Sequence, residues 1–155
     1  MLGALTFAAK VAMAGLPNIE PVSLCVMLFA VVFGIRCIYP IYIYVILEFL
    51  FYGLNLWSIP YLYIWMILAL WALAMRRMKN PLLWALLSGS FGLLFGLFCA
   101  PLDLFVGGAA LAVEKWISGI PFDLAHAGGN FVIALVLFVP LRKLLTKHYR
   151  QFLTP

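Results

Sequence analysis

Charge is what this sequence has least of. Only 10% of its 155 residues are Asp, Glu, Lys or Arg, against roughly 25% in an ordinary soluble domain, which leaves too little polar sequence to cover a soluble globule. Cysteine is nearly as scarce: Cys25, Cys37 and Cys99 lie in or beside apolar runs, without close pairing or ligand spacing. Neither a disulfide framework nor a zinc site is indicated, and no other metal or cofactor motif is present. The sequence has no Gly-x-Ser-x-Gly, no His-Glu-x-x-His and no phosphate-cradling loop, so the usual catalytic templates and the means to hydrolyse ATP are missing. No repeat, low-complexity tract or linker divides the chain, and residues 1–155 read as a single domain.

What it has is apolar sequence, 67% of the residues, in runs that call for lipid as solvent. Continuity of hydrophobicity, punctuated by Pro, Gly and charge, predicts an all-α integral membrane protein of about six transmembrane helices, over residues 2–16, 22–35, 38–56, 59–75, 81–100 and 121–145. The first two are short for a perpendicular crossing, which takes roughly 20 residues. Lys10 lies inside the first run rather than ahead of it, so that run is retained as structure and not read as a signal peptide. Between the fifth and sixth segments, residues 109–117 with Trp116 are expected as a helix lying in the interface.

The net charge of +5 does not point to nucleic acid, because of where it sits. Arg36, then Arg76, Arg77 and Lys79, then Arg142, Lys143, Lys147 and Arg150 mark the ends of hydrophobic segments, and no acidic residue joins them. Glu20, Asp103, Glu114 and Asp123 fall in the alternate connections. This is the positive-inside pattern, and it puts both termini in the cytoplasm, Cys37 at the cytoplasmic surface and Cys99 near the outer one.

Asp123, His126 and Asn130 follow one another at spacings of three and four, so they share one helical face. Pro121 before them is a helix-start signal. Each of the three has a plain use in capping or packing, but polar groups at membrane depth are costly and usually line a cavity. Lys10 and Glu48 are also ionisable residues inside apolar runs. Either they neutralise each other or one of them anchors a ligand, with Glu48, one turn before Tyr52, the better placed. The aromatics Tyr44, Tyr52, Trp57, Tyr61, Tyr63, Trp65 and Trp116 gather toward the same side. They read as a membrane belt, or, together with Asn18, Glu20, Asn55 and the Asp123 face, as the lining of a small-molecule pocket. Ala4, Ala8 and Ala12 form a small-residue stripe, and Gly92 and Gly96 a Gly-x-x-x-Gly element, both signals of close helix approach.

The run Leu16-Pro17-Asn18-Ile19-Glu20-Pro21-Val22, the alanine stripe, the six-segment layout and the run Gly119-Ile120-Pro121-Phe122-Asp123-Leu124-x-His126-x-x-x-Asn130 together resemble the substrate-binding S component of an energy-coupling factor (ECF) transporter, over nearly the whole chain. The resemblance implies a small vitamin-binding protein of the bacterial cytoplasmic membrane, surrounded by lipid, that works with a transmembrane coupling (T) subunit and two cytoplasmic ATPase subunits. It implies that cargo is held near the outer face, with Asp123, His126 and Asn130 in part of the pocket, and that Ala4, Ala8 and Ala12 meet the coupling subunit. Members that carry nickel or cobalt have a histidine directly after the initiator methionine. Leu2 stands there in this chain, which argues against metal cargo. Two readings from other classes stay open: a small membrane enzyme using Asp123 and His126 as an acid/base pair, and an assembly subunit that binds no small molecule.

Overall fold

The computed structural model describes residues 1–16 and 19–153; Asn18, one of the expected site residues, lies outside the described residues. Among these, every regular element is helical: α1 (Leu2–Ala12), α2 (Val22–Phe33), a 3-10 turn (Gly34–Cys37), α3 (Ile38–Tyr52), α4 (Tyr61–Ala74), α5 (Pro81–Leu93) and α6 (Phe95–Leu153). Two runs, Val22–Tyr52 and Pro81–Gln151, are long and apolar enough to cross a membrane by length and composition, while α1 and α4 are shorter apolar helices.

The first four expected segments each contain one helix. The last two are redrawn. α5 stops at Leu93, and α6 then runs on for 59 residues, through Pro101, Pro121 and Pro140. The connection between the fifth and sixth expected segments, with its separate interfacial helix over residues 109–117, is therefore absorbed into α6, and Pro121 does not begin a helix. A proline inside a helix forfeits one backbone hydrogen bond, and here the turns on either side carry the helix past it. The break lies earlier, at Gly108, whose φ of 75° and ψ of −174° suit a residue without Cβ. It divides α6 into arms over residues 95–107 and 109–153.

Local chemistry sets the other boundaries. Asn80 caps α5, its Oδ1 accepting from the Leu82 N–H at 2.9 Å, with Pro81 in the first turn. In the connection after α3, the Asn55 Oδ1 accepts from the N–H groups of Trp57 and Ser58 at 3.2 and 3.1 Å. That side-chain turn steers the chain into α4.

α1 lies along α3, α2 packs against α4 and α6, and α5 runs beside α6. At the last contact a Cβ on Gly92 would stand 2.9 Å from the backbone of His126 and Ala127, so the expected small-residue element does bring two helices together. The core is aromatic: Trp84 stacks on Phe138 with ring centroids 4.3 Å apart, and Trp65 meets Tyr44, Tyr61 and Phe91. The outer surface is apolar as well, with Leu50, Phe51, Phe105, Leu124 and Val136 exposed.

Candidate functional site

The site is assembled around Lys10. Its ammonium lies 2.9 Å from Glu48 Oε2 and 3.7 Å from Glu20 Oε2. Glu48 is 0% exposed, and of the two readings open for these residues the structure forms the neutralising pair. Four rings surround the same nitrogen, with centroids at 5.9 Å (Tyr44), 5.6 Å (Tyr52), 5.8 Å (Trp57) and 5.2 Å (Tyr61). Helical spacing explains the arrangement: Tyr44, Glu48 and Tyr52 recur every four residues on α3, stacking one face toward α1, while Trp57 and Tyr61 close the box from the connection and the start of α4. Glu20 approaches from the link into α2. Burial pushes its carboxyl above the ordinary carboxylate range, against the opposing pull of Lys10.

Beside this box is a cavity of about 350 Å³, where Lys10, Glu20, Trp57 and Tyr61 face Asp123 and His126 of α6. His126 is buried, its ring 4.8 Å from that of Phe95, and its Nε2 has no hydrogen-bond partner among the described residues. Asp123 has a structural partner as well as a cavity face: both carboxylate oxygens accept from the Gly96 N–H, at 3.1 and 3.2 Å. That N–H is one of the orphan donors at the start of α6, so Asp123 caps the helix arm that follows the Leu94 break. A smaller cavity of about 200 Å³ shares Lys10 and Glu20 and is bounded by Ala14, Leu16, Ile19 and Tyr52.

The other expected residues have different surroundings. The Asn130 amide donates to Ser23 Oγ at 3.0 Å and to the Ser88 carbonyl at 3.4 Å, tying α6 to α2 and α5. Asn55 is engaged in its own turn. Trp116 is exposed on α6 and lies outside both cavities. Sequence reasoning missed Phe95 and Phe122, which line the larger of the two. Phe122 sits next to Asp123 within the motif that drew attention, whereas nothing marks Phe95 in a chain with 13 phenylalanines. It also missed the Lys115–Asp103 ion pair, which borders an adjoining cavity of about 450 Å³ with Trp57, Tyr61 and Phe95.

No family model, curated protein or solved structure matches this chain. What the fold defines is an all-helical chain with two helical runs apolar and long enough to cross a membrane.

Proposed function

We propose that the chain is a multi-pass protein of the bacterial cytoplasmic membrane, with both termini in the cytoplasm, and that it serves as the substrate-capturing S component of an ECF-type importer. In this reading it takes up a vitamin or related micronutrient at the outer face and delivers it with a coupling (T) subunit and two ATPase subunits. The observation that carries the reading is one of convergence. Lys10, Glu20, Trp57, Tyr61, Asp123 and His126, dispersed over more than a hundred residues of sequence, border one cavity of about 350 Å³. Apolar and aromatic walls with a few convergent polar groups are what a small-molecule site requires. The apolar outer surface supports the membrane setting, since lipid is the solvent in which exposed Leu50, Phe105 and Val136 cost nothing.

Mass spectrometry of the purified and then denatured protein tests the reading, because a capture subunit holds its cargo tightly. A bound small molecule is expected. Its affinity, measured by calorimetry, should fall by about one to two decades in His126→Ala, the cost of about 1 to 3 kcal/mol for a lost buried hydrogen bond. Asn130→Ala should leave it nearly unchanged, since Ser23 and Ser88 already engage that amide. If no molecule accompanies the protein, and cells expressing it with its ATPases show no uptake that depends on it, the chain is an assembly subunit instead.

A further inference from the structure

The box around Lys10 holds more than an ion pair needs. A lysine and a glutamate neutralise each other without help, yet here four aromatic rings converge on the ammonium as well. Several aromatic faces backed by carboxylates form a receptor for an organic cation, because the ring quadrupoles attract positive charge and the apolar walls accept its substituents. Lys10 brings its charge on a flexible stem of four methylenes. It also borders both the cavity of about 350 Å³ and the smaller one beside Ala14 and Leu16, so its side chain has room to leave the box.

The balance of charge points the same way. Glu20 and Asp123 border the larger cavity, Glu48 lies behind Lys10, and Lys10 is the one cation among these four. An anionic cargo would enter against a surplus of carboxylate. A cationic one would replace the ammonium like for like, and His126 Nε2, without a partner at the cavity wall, remains for a polar group elsewhere on the molecule.

Building on the capture reading above, we propose that the cargo is an organic cation, a quaternary or ring nitrogen bearing permanent charge. Its positive centre takes the place of the Lys10 ammonium among Tyr44, Tyr52, Trp57 and Tyr61, and Lys10 swings toward the smaller cavity. The lysine thus acts as an internal stand-in that keeps Glu48 compensated while the site is empty.

The test uses the full-length protein in detergent and three probes: benzyltrimethylammonium, its uncharged carbon isostere neopentylbenzene, and benzoate. The cation should bind at least about tenfold more tightly than the isostere, and benzoate should not bind. Trp57→Leu should weaken the cation by roughly 2- to 30-fold, the equivalent of a cation–π contact of about 0.5 to 2 kcal/mol, and leave the isostere little changed. Lys10→Met should melt earlier when empty and gain more from the cation than the wild type does. If that variant does not fold, the wild-type and Trp57→Leu comparisons still decide. Equal binding of cation and isostere, or a preference for benzoate, overturns the proposal. The molecule that accompanies the purified protein separates the two readings. A permanently cationic molecule upholds both. A neutral or anionic one leaves capture standing and removes the cation, and no molecule with no probe binding removes both.

Discussion

Lys10 and Glu48, 38 positions apart in the sequence, hold one another at 2.9 Å, and Glu48 has no access to solvent. Such a pair is stabilising only relative to its own halves. Removing one partner strands a buried charge at a cost of about 3 to 5 kcal/mol, whereas replacing both with apolar groups is often neutral or favourable. Lys10→Met, which strands the wholly buried Glu48, should lower the stability of the empty protein by an amount in that range, and Glu48→Leu by less, because Glu20 still faces the ammonium at 3.7 Å. The double variant should recover most of the loss. Unfolding of the four proteins in detergent, followed by circular dichroism, measures the coupling, and strictly additive costs would show that the two residues are independent.

A second close relationship joins Asp123 to Gly96. The carboxylate caps the N–H at the start of α6, and a Cβ on Gly96 would stand 2.6 Å from Asp123 Oδ2. Gly96→Ala should therefore destabilise the protein by about 1 to 3 kcal/mol, as overpacking does. Asp123→Ala should cost about 0.5 to 2 kcal/mol as a lost cap, and Asp123→Asn less, since the amide oxygen still accepts. Thermal unfolding of the ligand-free variants checks the order, and an Asp123→Ala as stable as wild type would leave the carboxylate to the cavity alone.

How far the sequence could lead is visible in these residues. Helical spacing put Glu48 one turn before Tyr52, and the cost of lone charges in apolar runs offered Lys10 and Glu48 as a pair, with a ligand anchor as the alternative; both are short-range or energetic rules that need no fold. The division of labour within Asp123, His126 and Asn130 was not legible. Their shared face follows from periodicity, but which of them meets a cavity depends on what α2, α5 and the start of α6 place opposite. The end of the chain misled for a related reason. Pro121 followed by an acid in the first turn is a good helix start, and only the arm of α6 over residues 109–153, which begins after the break at Gly108, shows that it is an interior proline.

Orientation is tested with introduced cysteines, because Cys37, expected at the cytoplasmic surface, is wholly buried and would stay silent from either side. In a cysteine-free background, Leu54→Cys lies in the exposed connection between α3 and α4, and Arg77→Cys in the exposed basic turn after α4. In the proposed orientation, which follows the basic clusters, the first faces outward and the second the cytoplasm. An impermeant thiol reagent applied to intact cells should label Leu54→Cys, and Arg77→Cys only after lysis. The reverse result would invert the protein and move the cavity to the cytoplasmic side.

In the proposed reading, the alanine stripe is what distinguishes capture from coupling. Gly3 and Thr6 turn the inner face of α1 toward the protein, and Ala4, Ala8 and Ala12 are all exposed on the other side. A small-residue stripe that none of the described residues covers is suited to close approach by a partner helix. Because Ala8 is exposed, Ala8→Leu should change the stability of the isolated protein by no more than about 0.5 kcal/mol, and cargo affinity should hold, since Ala8 borders neither cavity at Lys10. What should fall is co-purification with the coupling subunit, and with it uptake, while Ala8→Ser, nearly the same size, keeps both. Bulky replacements at all three alanines that leave the assembly intact would assign the stripe to lipid, and the coupling contact would then have to lie on another face of the bundle.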